Sequence, residues 1–167
     1  MEYINRKTRI KKFLEKRKSI LIVGPRGSGK SLYLNHIIPD TKNLLKINLL
    51  ETDTFQKYLS NPAVLRKEVE FGVEKHKKLS VFIDEIQKIP ALLDEIHLLI
   101  EKYKDKILLI LTGSSARKLK RNNANLLAGR VIFLPFYTFS IEEINIKNNL
   151  NNVLQYGLLP QVFLEKD

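Results

Sequence analysis

Eight consecutive residues combine closely spaced glycines with a lysine and a serine. They fit the pattern G-x-x-x-x-G-K-[ST] and are Gly24, Pro25, Arg26, Gly27, Ser28, Gly29, Lys30 and Ser31. Glycines allow the backbone to turn tightly and to point its N–H groups at an anion, and the N-terminus of a following helix adds a positive partial charge. In such a loop Lys30 contacts the β- and γ-phosphates of a nucleotide and the Ser31 hydroxyl ligates Mg²⁺. Because an apolar run precedes the segment and an amphipathic one follows it, we favour a phosphate-binding loop over a plain glycine-rich turn.

Two adjacent carboxylates follow another apolar run, Val81–Ile83. In enzymes with a phosphate-binding loop, an Asp at the end of a neighbouring strand binds Mg²⁺, and Asp84 is the candidate for that role. A Glu directly after it can accept a proton from the attacking water, so Glu85 is the candidate general base. The alternative is that one of the two caps the next helix. Because a Glu at this place suits hydrolysis by water, the pair favours an ATPase over a kinase.

A third apolar run ends in the hydroxyl-rich segment Leu111–Ser115. A hydroxyl at the end of a strand inserted between the other two can bond the attacking water and sense the γ-phosphate. The candidates for this sensing role are Ser114 and Ser115, and the spacing leaves open which residue of Thr112–Ser115 takes it. The alternative is that either serine is the N-cap of a following helix.

The whole sequence alternates short β-branched runs with longer amphipathic ones, which predicts an α/β fold with a parallel sheet covered by helices. The predicted strands are Ser19–Val23, Leu44–Leu49, Ser80–Ile83, Lys106–Leu111 and Arg130–Leu134. The predicted helices are Thr8–Lys16, Lys30–Ile38, Thr54–His76 with a break near Pro62, Ala91–Tyr103, Ala116–Arg121 and one that begins within Ser140–Ile146. Glu142 and Glu143 would lie in the first turn of that last helix, where they favour its dipole.

Together with Leu126–Arg130 and Pro135–Ser140, these motifs resemble the AAA-type ATPases of bacteria and archaea. The similarity is to the group whose AAA core precedes a C-terminal domain of uncharacterised function. It implies a three-layer P-loop NTPase fold, with five parallel strands in the order 5-1-4-3-2, and it implies ATP and Mg²⁺ as cofactors. It also implies that Arg130 stabilises transition-state charge at a neighbouring copy in a homo-oligomer, the alternative being an arginine that bonds loop carbonyls.

The same resemblance assigns motifs and domains. The Walker A role falls on residues 24–31, the Walker B role on Asp84 and Glu85, and the sensor 1 role on Ser114 or Ser115. The expected parts are a basic N-terminal helix at residues 1–18, an ATPase core at 19–139 and the start of a lid or C-terminal region at 140–167. Such ATPases usually continue with a helical lid that holds adenine against the core, and here we expect the lid to be absent or reduced to Ser140–Asp167. We therefore expect adenine to be poorly distinguished from guanine and turnover to be slow.

Composition narrows the class of protein. The chain has 167 residues, of which 44% are hydrophobic and 28% charged, enough for one domain with a real core. It has no cysteine, which excludes disulfides and thiolate metal sites, and no run of the roughly 20 apolar residues that a membrane helix needs. We therefore expect a cytoplasmic protein without membrane contact, and no metal other than Mg²⁺.

The formal net charge of +11 is concentrated in two regions. Residues 1–18 and residues 101–130 each contain eight basic and two acidic residues. Such regions are compatible with a phosphate-rich partner such as nucleic acid, and solvated lysine-rich helix faces are the simpler interpretation.

Two other functions are compatible with the loop. One is a nucleotide-gated binding module that binds ATP and scarcely hydrolyses it. The other is a small-molecule kinase, which would need a lid with paired arginines and an acceptor pocket, and the sequence offers no candidate for either.

Overall fold

Five parallel strands form the centre of the molecule. The structure, a computed structural model, describes residues 3–114, 127–144 and 146–164. The strands are β1 (Ile20–Val23), β2 (Leu44–Asn48), β3 (Leu79–Asp84), β4 (Ile107–Gly113) and β5 (Ile132–Pro135). They are ordered β2-β3-β4-β1-β5 across the sheet, which is 5-1-4-3-2 when read from the β5 edge. The predicted α/β class with a five-stranded parallel sheet is confirmed.

Helices cover both faces of this sheet. The helices of the described residues are α1 (Ile10–Glu15), α2 (Lys30–Ile37), α3 (Thr52–Ser60), α4 (Ala63–His76), α5 (Leu92–Tyr103), α6 (Ile146–Tyr156) and α7 (Pro160–Leu164), with short 3-10 turns at Ile86–Lys88 and Lys104–Lys106, and α1–α5 are the ones that pack on the sheet. The break predicted near Pro62 separates α3 from α4. Within the described ranges, no helix is both long enough and apolar enough to cross a membrane.

Two hydrophobic clusters fill the space between the sheet and its helices. One lies under α3, α4 and α5, and the other lies under α1 and α2. Successive side chains of a strand point to opposite faces, so Val81 and Ile83 join the first cluster while Phe82 joins the second. All seven residues of β4 are buried, as expected for a strand near the middle of a parallel sheet.

The carboxyl ends of β1, β3 and β4 lie side by side. Val23 at the end of β1 pairs with Gly113 of β4, and Ile83 of β3 pairs with Leu111 of β4. Because parallel strands all end at the same edge of a sheet, the segments that follow these three strands meet there. The fold thus brings together the predicted phosphate-binding loop, the two carboxylates and the first residues of the hydroxyl-rich segment.

The prediction that Glu142 and Glu143 lie in the first turn of a helix is wrong. Residues 141–144 form a turn and α6 begins at Ile146. The Glu143 carboxylate accepts bonds from the backbone N–H of Ser140 at 2.9 Å and of Lys7 at 2.6 Å. The Glu143 carboxylate therefore joins this turn to the N-terminal segment, and it does not lie in the first turn of α6. The predicted helix Ala116–Arg121 lies outside the described residues.

We expect Leu109→Ala to lower the free energy of unfolding by about 2–5 kcal/mol, because it leaves a cavity in the core. Leu109 lies in β4 and is fully buried. The matched control is Leu98→Ala on α5, where the leucine is 52% exposed and the expected change is below about 1 kcal/mol. Urea unfolding followed by circular dichroism measures both variants, and equal losses would contradict the assigned core.

Candidate functional site

The predicted phosphate-binding loop, residues 24–31, is a tight turn that leads from β1 into α2. Gly27 and Gly29 have positive φ angles of 77° and 84°, a conformation that side chains with a Cβ rarely adopt. A Cβ at Gly24 would lie 1.8 Å from the Phe136 carbonyl oxygen, so the end of β5 packs directly on the loop backbone. The sequence pattern explains the glycines by the tight turn. Gly24 must be a glycine for a second reason, because the residue just after β5 leaves no room for a Cβ.

The Lys30 side chain lies within this loop. Its ammonium donates to the carbonyl oxygens of Gly24 and Pro25, both at 2.9 Å, and the residue is buried. Burial lowers the pKa of Lys30, and the nearby Glu85 and Asp84 carboxylates act in the opposite direction. The fold therefore places the Lys30 amine inside the loop and near two carboxylates.

A chain of hydrogen bonds joins the loop to β3 and β4 through Asp84. The Ser31 hydroxyl donates to Asp84 Oδ2 at 2.6 Å, and the Thr112 hydroxyl donates to Asp84 Oδ1. Thr112 Oγ in turn accepts the backbone N–H of Glu85 at 3.0 Å. Asp84 is only 6% exposed. Both carboxylate oxygens of this buried side chain therefore have a hydroxyl donor.

The Glu85 carboxylate is oriented by two polar neighbours. Glu85 has a φ of 60°, which turns the chain sharply after β3. Its Oε2 accepts from Ser114 Oγ at 2.8 Å and from the Gln87 side-chain amide, which also donates to Ser114 Oγ at 2.9 Å. Gln87 Oε1 is buried, and no described residue gives it a hydrogen bond. Among the described residues, the Gln87 amide is thus hydrogen-bonded through its nitrogen and not through its oxygen.

These residues fit a nucleotide with Mg²⁺. Mg²⁺ in such sites is bound by one or two protein oxygens together with substrate phosphates, and the Ser31 hydroxyl and Asp84 carboxylate lie in contact. Among the described residues no cluster of three or more His, Asp or Glu side chains could bind a metal alone.

A cavity of about 180 Å³ lies beside the loop. Its walls come from three parts of the chain: the N-terminal segment with Tyr3, the loop and α2 with Gly29 and Tyr33, and the C-terminal segment with Pro160. The backbone N–H of Gln161 donates to the Gly27 carbonyl at 3.2 Å, so the C-terminal segment contacts the loop directly. A cover that the sequence did not predict is thus present over one side of the loop.

One predicted site residue, Arg130, is not brought to this place. Arg130 donates to Glu101 at 2.6 Å and lies just before β5, where Ile132 pairs with Ile20 at the start of β1. The loop follows the carboxyl end of β1, whereas Arg130 lies near its amino end. Arg130 and the chain's own loop are therefore at opposite ends of the strands. Ser115 lies outside the described residues.

Three residues of the site were missed or given another role by sequence reasoning. For Gln87 the sequence favours solvation at a helix start over contact with a substrate, whereas its side chain contacts Glu85 and Ser114, and these contacts depend on the sharp turn at Glu85. Thr112 was noted only as part of a segment, although a lone hydroxyl at the end of a buried strand signals a bond to a buried partner. Arg6 donates to the Ser28 carbonyl at 2.8 Å, and no local pattern distinguishes it from the other basic residues of the N-terminal region.

Comparisons with known proteins agree with this architecture. A family model described as an AAA domain matches residues 16–145. The structure is similar to that of PCH-2 from C. elegans, with a TM-score of 0.53 and 18% sequence identity. The match covers 86% of this chain and 42% of the other, so this chain spans less than half the length of that protein. At this low identity, the similarity shows a shared fold and nothing further. Among curated proteins, no sequence matches this one significantly.

We expect Thr112→Val to lower the free energy of unfolding by about 1–3 kcal/mol. Valine has nearly the same shape, but it removes the hydroxyl donor to buried Asp84 and the acceptor for the Glu85 N–H. The control is Thr41→Val, since the Thr41 hydroxyl bonds Asn43 at an exposed position. Urea unfolding gives both values, and a loss no larger than that of the control would show that the Asp84 bond is not important for stability.

Proposed function

Because the chain belongs to the AAA domain family, we propose that it binds ATP with Mg²⁺ and hydrolyses the bond between the β- and γ-phosphates. The observation that carries the proposal is the convergence of Ser31, Asp84 and Glu85 at one edge of the sheet, joined through Thr112. A structural loop would need the glycines alone. The carboxylates and hydroxyls beside it are the groups that phosphate chemistry requires.

Binding of the phosphates is assigned to the loop and to Lys30. The first N–H groups of α2 have no partner within the helix and are available to phosphate oxygens. The Lys30 ammonium already lies inside the loop, so only a small shift from the Gly24 and Pro25 carbonyls would bring it to the β- and γ-phosphates. The Ser31 hydroxyl and the Asp84 carboxylate would hold Mg²⁺, which neutralises phosphate charge when bound.

Hydrolysis is assigned to Glu85 with Ser114. Water attacks the γ-phosphorus, a new P–O bond forms, and the bond to the β–γ bridging oxygen breaks, while the water proton passes to the Glu85 carboxylate. Glu85 Oε2 is occupied by the Gln87 amide and the Ser114 hydroxyl, so Oε1 is the oxygen proposed to take the proton. A role for Arg130 in this step would require a second copy of the chain, because Arg130 lies away from its own loop.

We expect Glu85→Gln to keep ATP affinity and to lower the hydrolysis rate by about 10²–10⁴-fold, because the amide cannot accept the proton. Lys30→Ala is the contrasting variant: its ATP affinity should fall by about 10–100-fold with the loss of a charged donor. The measurements are titration calorimetry with Mg-ATP and release of inorganic phosphate. Matched controls are Glu74→Gln on α4 and Lys42→Ala just before β2, both exposed.

The outcomes separate the alternatives. Undiminished phosphate release by Glu85→Gln would refute the assigned base. If the unmodified protein binds ATP and releases no phosphate, a nucleotide-gated binding module is the better description. If it does not bind ATP at all, the proposed function is wrong.

We expect Mg-GTP to bind within about 10-fold of Mg-ATP, because strong selection of a base requires hydrogen bonds at its edge. The cavity beside the loop would receive the base, and its walls are largely apolar, with Leu32, Phe139 and Leu164 among them. Apolar walls of this kind can pack against any base without distinguishing the polar groups at its edge. Titrations with the two nucleotides measure the ratio, and a preference for ATP above about 100-fold would contradict the assignment.

A further inference from the structure

The N-terminal segment lies against the phosphate-binding loop and places the Arg6 guanidinium there. The Arg6 side chain is 6% exposed. Its Nη1 donates to the Ser28 carbonyl of the loop at 2.8 Å, and its Nη2 donates to the carbonyls of Tyr137 and Thr138 after β5, at 2.7 and 3.0 Å. One planar group thus joins the loop to a segment more than a hundred residues away in the chain.

Charge and aromatic contacts fix this guanidinium in place. Arg6 Nε donates to Glu143 Oε1 at 3.2 Å, and the Glu143 side chain is only 4% exposed. The guanidinium carbon lies 4.3 Å from the centre of the Phe136 ring and 5.0 Å from that of Phe139. A buried cation needs such a partner, and the fork of donors allows several bonds without movement of the side chain.

The bond to Ser28 fixes the orientation of one peptide group of the loop. The Ser28 carbonyl and the Gly29 N–H belong to the same planar, trans peptide, so they point in opposite directions. Because Arg6 binds the carbonyl from outside the loop, the Gly29 N–H is turned to the other side. Gly29 is the N-cap of α2, and Arg6 Nη1 lies 4.0 Å from the point where a Gly29 Cβ would be.

We propose that Arg6 is a positioning residue for phosphate binding, which it promotes by holding the Ser28–Gly29 peptide so that the Gly29 N–H faces the phosphates. The inference rests on the proposed function, since it assumes that the loop binds a nucleotide. It assigns part of the loop's affinity to a residue that lies outside the loop sequence.

Two variants distinguish this role from a purely structural one. Arg6→Lys keeps a positive charge, but a lysine cannot reach all of these acceptors at once and releases the Ser28 carbonyl. Glu143→Gln leaves the Arg6 bond to Ser28 possible and removes the countercharge of a buried cation, so it destabilises the fold by another route. A structural role predicts that both variants lose nucleotide affinity in proportion to their loss of stability.

The test is titration calorimetry of the full chain with Mg-ADP, at a temperature where circular dichroism shows each variant to be folded. We expect Arg6→Lys to bind at least about 10-fold more weakly, the effect of losing one bond to a charged group. Glu143→Gln should stay within about 3-fold of the unmodified protein. The inference would be overturned if Arg6→Lys bound Mg-ADP as tightly as the unmodified protein does. It would also be overturned if Glu143→Gln lost as much affinity as Arg6→Lys.

A second measurement uses the unmodified chain and does not depend on a variant that folds. In ¹⁵N-labelled protein, Mg-ADP should shift the Gly29 amide proton strongly, as expected for a new bond to phosphate. An unchanged Gly29 resonance in protein that binds Mg-ADP would refute the inference and leave the proposed function intact. If the unmodified protein does not bind Mg-ADP, the proposed function fails and the inference falls with it.

Discussion

The buried carboxylate of Asp84 is the constraint on which the site depends. An ionised carboxylate removed from water must have donors, and here they are the hydroxyls of Ser31 and Thr112. One donor belongs to the helix after the loop and the other to β4, so satisfying one side chain sets the positions of three elements. The register of β3 against β4 and the start of α2 are therefore linked through a single residue.

The loop itself is shaped from outside. The Phe136 carbonyl lies against Gly24, the backbone of Gln161 donates to Gly27, and Arg6 donates to Ser28. These contacts come from β5, the C-terminal segment and the N-terminal segment. A glycine-rich turn has few side-chain contacts of its own, so its conformation follows from neighbours that are far away in sequence.

Features that depend on residues near one another in sequence were predicted, and features that depend on contacts between distant residues were not. The strands and the loop depend on local periodicity and on residue spacing, and the structure has these strands within one or two residues of the predicted ends. The pair Arg6–Glu143 joins positions 137 residues apart, and no local pattern indicates such a contact. The wrong placing of Glu143 in the first turn of a helix has the same origin, because its carboxylate instead binds the N-terminal segment. Gln87 was misjudged because its direction depends on the left-handed turn at Glu85.

The site places a buried lysine close to two carboxylates. Burial opposes the charge on Lys30, and the carboxylates of Glu85 and Asp84 support it. Both carboxylates are themselves engaged by hydroxyl or amide donors, so neither is a dedicated ion-pair partner for the lysine. A phosphate chain placed in the loop would bring negative charge to the ammonium and would repel Asp84 and Glu85. A divalent cation between the phosphates and Asp84 removes that repulsion, since it attracts both groups. The positions of the lysine and the two carboxylates thus explain physically why nucleotide and metal would bind together at this loop, each lowering the electrostatic cost of the other.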